Sequence, residues 1–177
     1  MSSRAARNSH GPTTLSITIA RLAATISHSH YPNGDRAALK RWSPGQPIPL
    51  AFYRLWLRYL NEDLPPESQA DTWMLIAWGL ALSGGDAHKP EQPLGKALAE
   101  AQFAEGRLER LLSSPDALRG ELFMAMVRFL AAKQVPFDWT TAAEYLLTRD
   151  SDARDRLHRR IARGYYRHLS MLTSTRE

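Results

Sequence analysis

The sequence predicts an all-α fold: a compact bundle of about eight helices, arranged as one body or as two packed halves. Three observations carry this expectation. Apolar residues recur with the 3.6-residue period of a helix, as in Leu15, Ile19, Leu22 and Ile26. No stretch of alternating β-branched residues is long enough for a strand. Proline and glycine divide the chain into segments of helical length.

Residues 1–13 are polar, with Gly11 and Pro12 as breakers, and read as a flexible basic tail; residues 14–177 then form a single helical domain. The first helix follows the stripe that begins at Leu15 and ends before Tyr31, Pro32 and Gly34. Asp35 can cap a short helix through Arg41, which stops at a loop containing Pro44, Pro47 and Pro49. Pro49 suits the first position of a helix over 49–61, and Pro65 with Pro66 closes it. A helix over 67–82, rich in Trp, Leu and Ala, ends at Gly84 and Gly85. The loop 84–93 is the candidate boundary between two halves, or a mobile loop.

Short helices follow over 94–102 and 105–112, and Ser114, Pro115 and Asp116 start a longer one over 116–133. Thr141 and Glu144 have the spacing of a capping box, with Trp139 just before to pack the entry. The last helix spans about 152–169. Trp73, Trp78 and Trp139 fall in apolar stripes and read as core residues.

Composition limits function. At 177 residues, 44% hydrophobic and 23% charged, the chain suits one globular domain. Its net charge of +5 makes a polyanionic partner plausible. With no cysteine, disulfide and thiolate chemistry are excluded, which fits a reducing cytoplasm. The longest apolar run, 73–82, is about half of the roughly 20 residues that span a bilayer, so no membrane role is expected.

No catalytic constellation is legible, and an enzyme is not expected. His28 and His30 stand at i, i+2, which points them to different sides of a helix and not at one metal ion. Neither a phosphate loop nor a G-x-S-x-G elbow occurs. The paired acids Glu62 with Asp63 and Asp150 with Asp152 border breakers and read as helix caps. No cofactor and no metal are expected.

Cations dominate what remains. Four stretches set Arg or Lys among Ala and Leu: GDRAALKR (34–41), AFYRLWLRYL (51–60), LGKALA (94–99) and RLERLL (107–112). Arg36 with Lys40 and Arg54 with Arg58 repel each other at i, i+4, an arrangement that an anionic partner would justify. On the last helix Leu157, Ile161, Tyr165 and Leu169 make an apolar stripe beside a cationic row of Arg156, Arg159 or Arg160, Arg163 and Arg167. That row can follow a phosphate backbone; equally, it can be a solvated face paired with Asp152 and Asp155.

GDRAALKR, then AFYRL (51–55), LGKALA, RLERLL and FDW (137–139), in this order and at these separations, resemble the CasB small subunit of the type I-E CRISPR surveillance complex Cascade. The resemblance covers about residues 15–169. It implies an all-helical, non-enzymatic subunit, present in two copies along the belly of the complex. Its implied partners are the backbone subunits that bear the CRISPR RNA, the large subunit, a second copy of itself, and the target and non-target DNA strands.

Carried onto this sequence, the basic positions of the motifs fall on Arg36, Arg41, Arg54, Lys96, Arg107, Arg110 and Arg128, implying one nucleic-acid-binding face. Three departures stand out, one of them an N-terminal tail longer than the family pattern leads one to expect. The LG-x-ALA position, commonly Arg, is Lys96, so a bidentate phosphate clamp becomes a point charge. The aromatic pair expected after the FDW helix is replaced near Thr148 and Arg149. The rival reading of the same cations is a helical adaptor that binds only protein, its arginines meeting acidic partners. Salt-sensitive binding to DNA separates the two, because neutralising phosphates makes log K fall linearly with log salt.

Overall fold

The computed structural model describes residues 13–174, so the predicted tail lies outside the described residues except for Thr13. That residue is a cap and not part of a tail: its Oγ1 accepts from the Ser16 N–H at 3.1 Å and starts α1 (Thr14–Ser27). Ile19, Leu22 and Ile26 of the predicted stripe are buried, and Leu15 packs beside them. Then come α2 (Asn33–Arg41), α3 (Leu50–Arg54), α4 (Ala70–Ser83), α5 (Leu94–Glu100), α6 (Glu105–Ser113), α7 (Asp116–Ala132), α8 (Trp139–Leu147) and α9 (Ser151–Ser174). These are nine α-helices among the described residues, against about eight expected. The single strand-like contact among them is an isolated bridge between His88 and Phe137.

Several boundaries differ from expectation for local reasons. Asp35 does not cap α2; it lies in the first turn, buried, with its carboxylate turned to Arg54. Pro49 precedes α3 instead of opening it, and the expected single helix becomes α3 followed by a π-helical segment, Leu55–Leu60. The wider π turn directs Leu55, Trp56 and Leu60 inward and closes at Asn61, whose φ of 54° is left-handed. A short 3-10 turn (Glu67–Gln69) precedes α4. Asp138, not Thr141, caps α8: its Oδ1 accepts from the Thr140 N–H at 3.0 Å, and Trp139 is already the first helical residue. Asp150 does cap α9, accepting from the Ala153 N–H at 2.8 Å.

The core is organised around α4. Residues 73–81 are buried on every side of it, as a helix apolar all round must be, and α1, α2, α7 and α8 pack against it. Trp73, Trp78 and Trp139 are core residues, as expected. Trp139 lies flat over Phe137, with ring centroids 4.8 Å apart, and fills the space where Gly79 has no side chain. The buried apolar residues form one connected cluster from Ile19 to Tyr165.

The loop 84–93 is tied across to the start of α8: Phe137 N–H donates to Ala87 O at 3.1 Å, Lys89 N–H to Phe137 O at 3.0 Å, and Asp138 N–H to Gln92 O at 2.8 Å. The most extensive helix pairing joins α5 to α9. Gly95 makes that approach possible, since a Cβ there would overlap the Ile161 carbonyl oxygen. Gly164 faces Gly95 from α9, and the Tyr165 hydroxyl donates to Phe103 O at 2.7 Å. No helix among the described residues is long and apolar enough to cross a membrane.

Candidate nucleic-acid interface

The seven sequence-predicted cations are carried by two groups of helices. The first group is α2 and α3. Arg36 reaches back to the end of α1, where carbonyls lack partners and the helix dipole is negative. Its Nε and Nη2 donate to Ile26 O at 3.0 and 2.9 Å, Nη2 also to His28 O at 3.0 Å, and Nη1 to Asn33 Oδ1 at 2.7 Å. The guanidinium also stands 5.5 Å from the Tyr31 ring centroid. Burial pushes the Tyr31 hydroxyl well above its ordinary pKa, with Asp35 adding to the rise.

Arg54 forks onto Asp35, with Nη2 to Oδ1 at 2.7 Å and Nε to Oδ2 at 3.2 Å. Those hydrogen bonds hold its guanidinium above the ordinary arginine pKa. Arg41, by contrast, is exposed at the end of α2 with no ion-pair partner among the described residues.

The second set rides on α5, α6 and α7. Arg107 stands over two rings, 5.4 Å from the Phe103 centroid and 5.4 Å from that of Phe129. Lys133, a cation outside the sequence motifs, approaches the same Phe129 ring at 5.7 Å. Arg128 lies 5.2 Å from the buried Trp78 ring. Arg110, one turn from Arg107 on α6, is exposed. None of Arg107, Arg110 and Arg128 meets a carboxylate among the described residues. Rings orient the flat guanidiniums of Arg107 and Arg128 without neutralising them, so the charge stays available to an anion. Lys96 differs: its Nζ is 3.9 Å from Glu100 Oε1, and His168 Nε2 approaches the same oxygen at 3.6 Å.

The row on α9 is exposed as well. Arg160 pairs with Glu144, whereas Arg156, Arg159, Arg163 and Arg167 have no ion pair among the described residues, with Asp152 and Asp155 or otherwise. Residues at this spacing rise along one flank of a helix, so four unpaired guanidiniums line about 16 Å.

His28 and His30 lie ring to ring at 5.4 Å. No group of three or more His, Asp or Glu side chains fit to hold a metal gathers among the described residues. The arrangement as a whole offers cations spread over a helical frame.

Comparison with known families gives this frame its place. The family model of CRISPR-associated protein Cse2 matches residues 35–166, well over half of the chain and every one of the seven cations. Searches of curated proteins and of solved structures return no match. The ordered motifs, the all-helical frame and the extent of this match lead to one conclusion: the chain belongs to the CRISPR-associated Cse2 family, that of the CasB small subunit of the type I-E surveillance complex Cascade.

Proposed function

We propose that the chain is a non-enzymatic, cytoplasmic small subunit that steadies the target and displaced DNA strands beside the CRISPR RNA through a basic face centred on α6 and α7. The observation that carries this reading is the state of Arg107, Arg110 and Arg128: exposed, without carboxylate partners, and in two cases poised over aromatic rings. In RNA-guided recognition base pairing reads the sequence, and proteins hold the strands by their backbones. Cations without base-reading geometry suit that duty. In this reading Arg41 and Lys96 extend the basic surface, while Arg36 and Arg54 are held within the frame by Ile26 O and Asp35.

A second reading, the protein-only adaptor, draws on another observation. Leu50, Tyr53 and Leu57 form an exposed apolar row along α3 and the π segment, with Leu50 70% and Leu57 52% exposed. A subunit that also touches the crRNA-bearing backbone, the large subunit and a second copy would use such a row, so it fits either reading.

The deciding experiment reverses Arg41 and Arg107 to Glu in the assembled complex. Retention of target DNA should weaken alike for every target sequence while assembly survives. Intact retention, or altered sequence preference, would overturn the backbone-holding role and leave the adaptor. The purified chain, with or without divalent metal, should leave DNA and RNA uncut.

A further inference from the structure

We propose that the cleft between the first turns of α4 and α7 binds a phosphate oxyanion, with Arg119 at its base. The inference does not depend on the basic face, and Arg119 belongs to none of the motifs that carry the family resemblance. The cleft has a volume of about 420 Å³, and its charged wall consists of Arg119, Arg149, Arg154, Asp71 and Asp116.

Arg119 is the unusual member. It is only 5% exposed, yet no carboxylate pairs with it among the described residues. Its Nη2 donates to Tyr145 O at 2.6 Å, its guanidinium lies 3.8 Å from the Tyr145 ring centroid, and its Nε has no partner. A buried cation compensated by one carbonyl and one ring is costly to keep charged. Burial accordingly lowers its proton affinity, and Arg154 nearby adds to the lowering against the opposing pull of Tyr145 and Asp116. Asp116, the carboxylate one helical turn before it, is already taken by Arg154 Nη1 at 2.7 Å. An anion entering the cleft would supply the missing counter-charge.

The backbone contributes in the same direction. α7 is 17 residues long, and Pro115 before it offers no side-chain cap, so the N–H groups of Asp116 and Ala117 and the positive end of the helix dipole face the cleft mouth without one, while the Leu118 N–H donates to Pro115 O at 3.0 Å. Arg149 is exposed at the cleft with no ion pair among the described residues. Three guanidiniums against two carboxylates leave a net positive wall, and phosphate oxygens match the planar donor fork of arginine. Two sources share this chemistry: a free phosphate or phosphomonoester, and a phosphodiester of a nucleic acid backbone.

Titrating the full chain with sodium phosphate, followed by thermal denaturation and by ³¹P line width at constant ionic strength, tests the site. The denaturation midpoint should rise with the logarithm of phosphate concentration beyond the chloride control, as ligand linkage requires. Arg119→Gln should abolish that rise. Arg149→Gln, a surface change that leaves the fold alone, should weaken phosphate binding at least about three-fold and keeps the test decisive if the buried variant does not fold. Lys89→Gln, away from the cleft and from the cationic helices, should leave it unchanged. A parallel titration with dimethyl phosphate separates the sources: comparable binding assigns the site to a phosphodiester, and its failure beside bound inorganic phosphate assigns a free or terminal phosphate. If neither probe shifts the midpoint beyond chloride, or if Arg149→Gln responds as the unaltered chain does, the proposal is overturned.

Discussion

Arg36 and Arg107 are both arginines of short basic helices, yet they have opposite fates. Arg36 has turned inward, satisfying the last carbonyls of α1 with three of its donor contacts and Asn33 with a fourth. Arg107 has stayed outside, its cation spread over Phe103 and Phe129. What separates them is the neighbour within reach. A frayed helix end or an acid such as Asp35 absorbs a guanidinium into the frame, whereas an aromatic ring holds it in place and leaves its charge unspent.

The comparison presumes that the outward cations stand on a frame as firm as the inward ones, and the largest expected effect tests that. Gly95→Ala should lower stability by about 3 kcal/mol in denaturant titration, because the added methyl meets backbone of α9 that cannot move aside. Its neighbour Lys96→Ala should change stability by less than about 0.5 kcal/mol, as half-exposed surface changes do. An equal response from the two would mean that α5 is not pinned by its glycine.

Next in size is the direct contrast. Arg36→Ala should cost about 2 kcal/mol, since it leaves the Ile26 carbonyl at the end of α1 without a donor, and should lower the thermal midpoint by roughly 4–8 °C. Arg107→Ala should cost less than about 1 kcal/mol. Reversed magnitudes in calorimetry would erase the distinction between frame and surface.

On the binding side the ranking inverts. Replacing Arg107 or Arg128 by Ala should each reduce the slope of log K for DNA against log salt by roughly 1, with no change in sequence preference. Arg36→Ala, measured below its melting range, should leave that slope in place.

The smallest effect concerns pH. His88 is 8% exposed and accepts the Trp139 N–H at Nδ1, 3.1 Å away. Burial holds its imidazole below the ordinary value, while Asp138 and Glu91 pull it upward. The unfolded chain therefore takes up its proton near about pH 6.5, before the folded chain does, so stability is complete above that range and declines as pH falls through it. His158 is lowered by burial in the same sense. A thermal midpoint a few degrees lower at about pH 5.5 than at about pH 7.5 is expected, with a shallower decline in His88→Gln. A midpoint that rises on acidification would show that the imidazole is charged in the fold.

Periodicity made most of the helical frame legible. The stripe of α1 and the all-round apolar α4 announce their own burial, and prolines and glycines mark where helices cannot continue. What stayed hidden depends on partners distant in sequence. Asp35 looks like a cap until Arg54 is folded beside it, and Arg119 looks like a surface cation until Tyr145 covers it. Trp139 belongs inside α8 because Gly79, sixty residues earlier, leaves room for its ring. The π segment is equally silent, because its sequence suits a continuous α-helix as well. Gly95 did leave a trace: a glycine inside a short helix weakens it, and its presence there needs a reason that α9 supplies.

The closure of α9 over α5 also sets the order in which a newborn chain can become a protein. Gly95 and Tyr165 lie 165 − 95 = 70 residues apart, and the Tyr165 hydroxyl is what seals Phe103. At about 5–20 residues per second of synthesis, α5 stands without its principal neighbour for roughly 4–14 s. A nascent chain that stalls anywhere before α9 would carry the basic helices of a nucleic-acid binder without the clasp that orders them. Premature stops between codons 151 and 165 should thus yield a protein that fails quality control as a whole, and not one that merely lacks the arginines of α9.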